Sequence, residues 1–255
     1  MHALRPIAVL TVVATLSACA TPQGGGEFPD PYEEQNRQVH ELNVALDRAL
    51  VGPASQVYGG VIPAPVRLGV TNFASNLTLP GTVVNDLLQA KIGDAFANTG
   101  RFVLNTVAGL GGIFDPASVI GLDERRTDFG ETLHVWGVGE GNYIELPVLG
   151  PSTERDFVGM LVDFAMNPTW LLHHPESHIA TGVAVTAKLG QRYQYSDTID
   201  SILYESADSY AQARLLYLQS RRFQLGGDDE LTYSDPYSDP YADPYADPYE
   251  ATDAQ

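Results

Sequence analysis

Apolar side chains recur at steps of three and four residues over most of the chain between residues 30 and 226. This spacing places them on one face of an α-helix, so the pattern predicts a helical domain. Strand signals are scarce and are limited to Tyr143–Leu146, before Pro147. The sequence therefore predicts an all-α fold with at most one short β-hairpin. The predicted helices begin near Pro31, Pro63, Pro80, Thr153 and Asp197, and the last one, which continues to Phe223, is the longest.

The segment Phe102–Leu122 differs from the other stretches because Asp115 is its only charged residue. Three glycines and the Asp115-Pro116 pair interrupt it in the middle, which divides it into two half-length apolar pieces with a turn between them. A helix that spans a bilayer needs about 20 consecutive apolar residues, so this segment cannot span one alone. Two alternatives remain, a hairpin buried in the core of a soluble domain and a hairpin that dips into a bilayer.

Residues 1–18 have the pattern of a bacterial lipoprotein signal peptide, with a basic start, an apolar run and two small residues before Cys19. Cleavage there would free the only thiol of the chain for acylation, and two or more acyl chains hold a protein on a bilayer. We therefore predict a lipid anchor at Cys19, which favours the bilayer alternative for Phe102–Leu122. Ala20 after the cysteine fits export to the outer membrane. The competing interpretation is a cytosolic protein with an apolar first helix.

The two ends of the chain have the composition of unfolded segments. Residues 19–29 contain three consecutive glycines and are predicted to be a flexible tether. In residues 227–255 the triplet Asp-Pro-Tyr recurs four times with a four-residue period, and proline in each repeat prevents a helix or a strand ladder. The tail also carries acidic residues without any Lys or Arg, so we predict disorder. It either increases solubility or binds a partner groove through its tyrosines. The folded domain is then expected within residues 30–226.

Composition excludes several classes of partner. The chain has 14 Lys and Arg against 32 Asp and Glu, a formal net charge of −18. Because contacts to phosphates require a basic patch and none is present, nucleic acid is not expected as a partner. The same balance argues against docking on anionic lipid headgroups through a polybasic face, so a deeper membrane contact would have to be apolar.

Residues that carry enzyme chemistry do not occur in recognisable patterns. The glycine-rich runs lack the lysine of a phosphate-binding loop, and no Gly-x-Ser-x-Gly turn is present. His40 and His134 fall in helical stretches without a matched nucleophile or carboxylate. A group formed by His173, His174 and His178 is interrupted by a proline and is either a solvated loop or a metal site. We predict no catalytic residue, no cofactor and no metal, and therefore no enzyme.

Motifs spread over nearly the whole predicted domain are similar to those of one known family. The densest are Asp128–Leu133, Trp136–Gly139 and Gly150–Thr153, the last followed by Arg155-Asp156. On these motifs the chain resembles the MlaA/VacJ family of outer-membrane lipoproteins. Further positions that fit the family are Asp30–Glu33, Asn36-Arg37, Asn72-Phe73, Asn85, Arg101-Phe102, Asn105-Thr106, Tyr143, Asp208, Tyr210, Arg214 and Tyr217.

The resemblance implies a ring-shaped, monotopic helical domain in the inner leaflet of the outer membrane, anchored on the periplasmic side, with an amphipathic channel through it. Proteins of this family remove phospholipids misplaced in the outer leaflet, beside a trimeric porin, and pass them to a soluble periplasmic lipid carrier, which maintains lipid asymmetry. Two other functions remain as alternatives. One is a structural envelope lipoprotein that scaffolds partners through its acidic tail, and the other is a lipid-modifying enzyme.

The segment Gly137–Gly150 is predicted to be a hinge or a channel rim, because its glycines permit backbone conformations that other residues resist. The alternative is that these glycines only make tight connections between elements. Polar side chains on the predicted helices either line a polar route or cap helices and bond buried carbonyl groups. The candidate channel or hinge residues are Asn43, Asn72, Arg101, Asn105, Gly137, Gly139, Gly141, Pro147 and Gly150.

Overall fold

The computed structural model describes residues 30–167 and 176–226. Its helices are α1 (Glu33–Leu46), α2 (Gly52–Val61), α3 (Ala64–Leu88), α4 (Ile92–Val107), α5 (Pro116–Val119), α6 (Phe129–Val135), α7 (Glu154–Met166), α8 (Glu176–Gln194), α9 (Ser196–Asp200) and α10 (Ser209–Gln224). Two π-helical segments, Asp47–Val51 and Ser201–Glu205, follow α1 and α9. Strands β1 (Tyr143–Leu146) and β2 (Gly150–Thr153) pair antiparallel, with Tyr143 opposite Thr153. The prediction of a helical fold with one short hairpin is confirmed.

The elements pack both with their neighbours in the chain and with elements distant from them in sequence. Helix α3 packs against α4 and α8, α2 packs against α8, α6 packs against α7, and α1 lies along β1. Residues as far as Tyr217 belong to one compact unit, and those from Leu218 belong to a second. In the part of the chain that the structure describes, no helix combines the length and apolar character needed to cross a membrane.

Side-chain caps fix where two of the helices begin. At the start of α6, Asp128 accepts a hydrogen bond from the N–H of Glu131 at 2.8 Å. At the start of α7, Thr153 accepts one from the N–H of Asp156 at 3.2 Å. Each cap satisfies an N–H group that the first helical turn leaves without an intrahelical partner. The helix predicted to begin near Thr153 is therefore confirmed.

Pro80 lies inside α3 and does not begin a helix, so the boundary predicted there is wrong. A proline has no N–H to donate to the carbonyl group four residues earlier, that of Asn76. The helix nevertheless continues, because Asn76 and Leu79 are buried on the face that packs against other helices. The hydroxyl of Thr78 also donates to the carbonyl group of Ser75 at 2.8 Å. Tertiary packing outweighs the local preference of proline here.

The single helix predicted from Asp197 to Phe223 is also wrong, because the chain becomes extended at Ser206, with a ψ of 150°. A new helix, α10, then begins at Ser209. Asp208 explains this second start, since its Oδ1 accepts the N–H of Ala211 at 3.0 Å. Among the described helices the longest is α3, with 25 residues.

The interior of the unit that ends at Tyr217 is more polar than the interior of most soluble domains. Among the described residues its buried apolar side chains are few, and half of them are alanines, such as Ala95 and Ala117. Large apolar side chains are instead exposed, as in Phe96 (76 %) and Val107 (77 %). The buried polar and charged side chains of this unit are Asn36, His40, Ser55, Asn76, Asn85, Asp86, Gln89, Asn98, Arg101, Asn105, Thr132, Glu145, Ser152, Thr153, Arg155, Asp156 and Arg192.

The apolar segment Phe102–Leu122 consists of the end of α4, a series of turns and the single-turn helix α5. Most of its large side chains point outward, and those of Leu110, Phe114 and Val119 are each more than half exposed. The alternative of a hairpin buried in a soluble core is therefore wrong. Exposure of this many large apolar groups in one segment is rare on proteins that meet only water.

Candidate functional site

A buried ion pair between Arg101 and Asp115 fastens the apolar segment to α4. Nη2 of Arg101 lies 2.9 Å from Oδ2 of Asp115, and the arginine side chain is almost fully buried. One turn further along α4, Asn105 donates to Oδ1 of Asp115 at 2.8 Å and accepts the N–H of Ala117 at 3.1 Å. Burial tends to raise the pKa of Asp115, but hydrogen bonds from Ser118, Asn105 and Arg101 outweigh it and leave this pKa below its usual value. Two of the candidate residues therefore act together on one carboxylate.

A second set of contacts holds the same segment against α3. Asn72 donates to the carbonyl oxygen of Ile113 at 3.2 Å, and Asn76 donates to that of Gly111 at the same distance. Gly112 has a φ of 101°, and a Cβ atom at this position would lie 2.4 Å from Cβ of Asn76. Only glycine allows both this conformation and this close approach. The amide of Asn72 is thus committed to a main-chain carbonyl group.

The side chain of Asn43 holds the turn between the two strands. Its Nδ2 donates to the carbonyl oxygen of Leu146 at 3.0 Å and to Oε1 of Glu145 at 3.1 Å. Its Oδ1 accepts the N–H of Val148 at 2.7 Å. Val148 has a φ of 69°, a strained value for a β-branched residue, and it is exposed beside Pro147 at the tip of the hairpin. Two of these hydrogen bonds therefore go to main-chain groups on either side of Pro147, and the third goes to the buried carboxylate of Glu145.

Glycines with left-handed backbone conformations bound the predicted hinge. Gly137 has a φ of 85° where α6 ends, and Gly141 has a φ of 74°. A Cβ atom at Gly141 would lie 2.7 Å from Oε2 of Glu154, so this position requires glycine on both conformational and steric grounds. The other candidates of this segment are Gly139 and Pro147, which are exposed, and Gly150, which has a φ of 83°. This geometry is compatible with a hinge and equally with tight connections.

The structure surrounds His40 with a carboxylate and a hydroxyl group that the sequence pattern did not connect to it. Its Nε2 lies 3.0 Å from Oγ of Ser209, and its Nδ1 lies 3.4 Å from Oε1 of Glu145. The hydroxyl group of Tyr143 donates to the same carboxylate. His40 and Glu145 are 4 % and 5 % exposed. The ring of Tyr210 packs edge-on against the imidazole, with 5.7 Å between the two ring centres. This enclosure closes the imidazole off from a substrate, so the cluster holds elements together.

A neighbouring cluster is centred on Asp30 and joins α1, β1 and α10. Asn36 donates to Oδ1 of Asp30 at 3.0 Å and accepts the N–H of Glu145 at 2.9 Å. Arg214 donates to Oδ2 of Asp30 at 2.8 Å, and the hydroxyl group of Tyr210 also donates to it. Burial and the hydrogen bond to Asp30 raise the pKa of Tyr210.

Sequence reasoning did not connect these residues, because up to 184 positions separate them along the chain. The available signal was that Asp30, Asn36, Tyr210 and Arg214 all lie in the family-like motifs. For Glu145 the signal was its place at an inward position of an alternating strand.

Some predicted features lie outside the described residues, namely Cys19, the histidines at 173 and 174, the tether and the acidic tail. Within residues 30–167 and 176–226, no group of three or more His, Cys, Asp and Glu side chains is arranged to hold a metal ion.

Comparison with known sequences identifies similar proteins over most of the chain. The family model described as "MlaA lipoprotein" matches residues 28–224. An uncharacterised protein of Rickettsia bellii is 33 % identical over 199 residues, which are 78 % of this chain and 77 % of that protein. The "Intermembrane phospholipid transport system lipoprotein MlaA" of Escherichia coli is 32 % identical over 231 residues, 89 % of each chain. The protein of the same name in Haemophilus influenzae is 32 % identical over 227 residues, 86 % of this chain and 88 % of that one.

Comparison of three-dimensional structures gives a similar result. A solved structure described as "Structural basis for maintenance of bacterial outer membrane lipid asymmetry" superposes with a TM-score of 0.65 and 30 % sequence identity. The match covers 77 % of this chain and 98 % of the solved one. The described helices and hairpin therefore have the arrangement of a known fold, and the predicted fold class is confirmed.

Proposed function

Because this chain belongs to the MlaA family of lipoproteins, we propose that it removes phospholipids misplaced in the outer leaflet of the outer membrane. They would pass through an amphipathic channel to a soluble periplasmic lipid carrier for return to the inner membrane. The proposal is one of transport and not of catalysis, since moving a lipid between leaflets requires no covalent step. Its result would be the maintenance of lipid asymmetry.

The observation that carries this proposal is the inverted polarity of α4. Asn98, Arg101 and Asn105 lie three and four residues apart on its buried face. Phe96 and Val107 are on its exposed face, each about three-quarters exposed. An amphipathic helix in water buries its apolar face, because exposed apolar surface costs free energy in proportion to its area. The reverse arrangement is favourable where hydrocarbon surrounds the helix, which supports a domain seated within one leaflet.

Polar atoms without partners in the interior support a hydrated route through the domain. Among the described residues, Asn76 Oδ1, Gln89 Oε1 and Arg101 Nε are buried and have no hydrogen-bond partner. Such atoms are costly to leave unsatisfied, and water or a lipid headgroup would satisfy them. We propose that polar side chains of this interior, with Arg101 and Asn105 among them, admit the headgroup while apolar surroundings receive the acyl chains.

Control of the route is proposed to reside in the hairpin and in the segment before it. Asn43 fixes the β1–β2 turn. In this proposal the hairpin, with Pro147 at its tip, is the part that moves, and the glycines at 137, 139, 141 and 150 give its backbone the freedom to do so. In this proposal Asn72 holds the apolar segment in place while the hairpin moves. An acylated Cys19 would anchor the protein on the periplasmic side, and a trimeric porin would be its neighbour in the membrane.

Deletion of the protein followed by measurement of phospholipid in the outer leaflet tests the proposal. We expect more phospholipid to become accessible to a phospholipase added outside intact cells, and re-expression of the full chain should reverse the increase. No increase after deletion would contradict the transport proposal. A chain truncated after Gly226 serves as the matched control, because the scaffold alternative predicts loss of function on truncation and the transport proposal predicts little change.

A further inference from the structure

The outward face of α2 and of the π-helical segment before it carries a shallow apolar groove of about 560 Å³, lined by residues between Ala49 and Ile62. We propose that this groove binds one acyl chain of a phospholipid whose phosphate lies near Arg48. Every lining side chain is apolar except for the hydroxyl group of Tyr58.

The groove faces outward because the opposite face of α2 is occupied. Ser55 is fully buried on that inner face. A Cβ atom at Gly59 would lie 2.1 Å from the ring of Tyr193, so α2 and α8 are in close contact there. The outer face presents Val57 and Val61, which are 66 % and 71 % exposed. As in α4, the polar residue is inside and the aliphatic residues are outside, so the outer face requires an apolar occupant.

The length of the groove matches an acyl chain. From Ala49 to Ile62 the helical backbone rises by about 20 Å, at about 1.5 Å per residue. The hydrocarbon of one leaflet is about 15 Å thick, half of a bilayer core of about 30 Å. One acyl chain therefore fits along the groove over its full length.

Arg48 directly precedes Ala49, the first lining residue, and so supplies a cation beside one end of the groove. Arg48 is exposed, its guanidinium lies 4.8 Å from the ring centre of Tyr204, and no carboxylate pairs with it among the described residues. The adjacent Asp47 is engaged elsewhere, with Nη2 of Arg192 at 2.7 Å and the hydroxyl group of Tyr204 at 2.6 Å. The guanidinium of Arg48 is therefore available for a charge-assisted hydrogen bond to a phosphate oxygen.

These features together select a phospholipid over other occupants. A second copy of the chain or a helix of a partner would cover the apolar face without a need for a cation at one end. This inference rests on the proposed function for the identity of the lipid, but the binding itself is measured on the purified protein.

Photolabelling tests the site directly. Full-length protein in a mild detergent is mixed with a phosphate-headed phospholipid that carries one photoreactive acyl chain, and the labelled residues are mapped by mass spectrometry. We expect labels concentrated within residues 49–62 at one lipid per chain. Val57→Asp should lower labelling there by at least about tenfold, because a carboxylate has to be desolvated against the acyl chain. Arg48→Gln should lower it by about threefold through loss of one charge-assisted hydrogen bond.

Val119→Asp is the matched control, since this valine is also exposed and apolar but lies outside the groove. It should leave labelling of residues 49–62 unchanged. Ala54→Trp fills the groove without adding a charge and should also abolish labelling, and a thermal unfolding midpoint close to that of the wild type would show that the loss is not a folding defect. Equal labelling of Val119 and of residues 49–62 would overturn the proposal in favour of a general lipid-facing surface.

Two further results distinguish failure of the groove proposal from failure of the transport proposal. A dimer that dissociates on Val57→Asp, without lipid labelling, would overturn the proposal in favour of a second copy as the occupant. If deletion of the protein left outer-leaflet phospholipid unchanged while labelling of the groove persisted, the transport proposal would fail and the binding site would stand.

Discussion

The main-chain N–H of Val148 donates a hydrogen bond of 2.7 Å to Oδ1 of Asn43, which lies 105 positions earlier in the chain. Nδ2 of Asn43 donates to the carbonyl oxygen of Leu146, so one side chain holds main-chain groups on both sides of Pro147. The hairpin tip cannot move away from α1 unless these bonds break. The side chain of Asn43 therefore stabilises the turn and also restrains any movement of the hairpin.

Replacement of Asn43 by alanine should destabilise the protein by about 1–3 kcal/mol, because it leaves the N–H of Val148 and the carbonyl oxygen of Leu146 without their partner. Urea unfolding in detergent measures the change. Asn72→Ala is the control and should cost less, since the amide of Asn72 makes an exposed hydrogen bond to one main-chain group, the carbonyl oxygen of Ile113. Equal costs at the two positions would contradict the role of Asn43 as the clamp of the turn.

Arg101→Met should cost about 3 kcal/mol, because it leaves the carboxylate of Asp115 partly buried without its cation. This value lies at the lower end of the usual range, since the side chain of Asp115 is 24 % exposed. Adding Asp115→Asn to the variant removes the unpaired charge and should restore part of the loss. Additive effects in this double-mutant cycle would mean that the two side chains are not coupled.

Alanine at position 112 should be more harmful than alanine at position 121. Both glycines have positive φ, 101° and 80°, so both changes carry a backbone cost of about 1–2 kcal/mol. Only Gly112→Ala also places a methyl group 2.4 Å from Asn76, and this overlap should add about 1–3 kcal/mol. Thermal unfolding of both variants gives the difference, and similar values would show that the turn adapts without strain.

The ion pair between Arg37 and Asp208 should make stability depend on pH in a defined range. Hydrogen bonds from Arg37 lower the pKa of Asp208 from 3.8 to about 2. Because the folded pKa is depressed, the stabilisation is complete above about pH 5 and is lost as the pH falls from there through 2. The pair is well exposed, so it should be worth only about 0.2–1 kcal/mol.

Arg37→Gln tests this expectation. The difference in unfolding free energy between the wild type and the variant should be constant above pH 5 and should shrink towards pH 2. Titration of the carboxylate by NMR should show the pKa of Asp208 raised in the variant but still below 3.8, because the N–H of Ala211 continues to donate to this carboxylate. An unchanged pKa would mean that Arg37 does not hold Asp208 in solution.

Cys19→Ser should change where the protein is found more than whether it folds. A serine cannot receive the acyl chains that would hold the mature protein on the membrane. Fractionation of cells should move the variant out of the outer-membrane fraction, while its thermal unfolding in detergent stays close to that of the wild type. Retention of the variant in that fraction would argue against Cys19 as the principal anchor.

Much of the local structure could be predicted from short patterns in the chain. The alternation in Tyr143–Leu146 predicted β1, and the threonine before Glu154 marked the start of α7. The predicted helix start at Pro80 was wrong because packing against other helices keeps α3 continuous there. The break at Ser206 was missed because the cap at Asp208, which starts α10, leaves no mark in the hydrophobic periodicity. The sequence identified the candidate polar residues but not their hydrogen-bond partners. Asn43 and Val148, for example, are brought together only by the fold.

The sequence by itself determined the helical class, the single hairpin, the family and the position of the predicted anchor, because periodicity and motifs are local properties of the chain. Only the tertiary structure decided which face of each helix lies inside. A period of 3.6 residues reveals that α4 has a polar and an apolar face, but the surrounding medium determines which face is stable outward. The burial of Arg101 and the exposure of Val107 thus became known only once the helices were packed together.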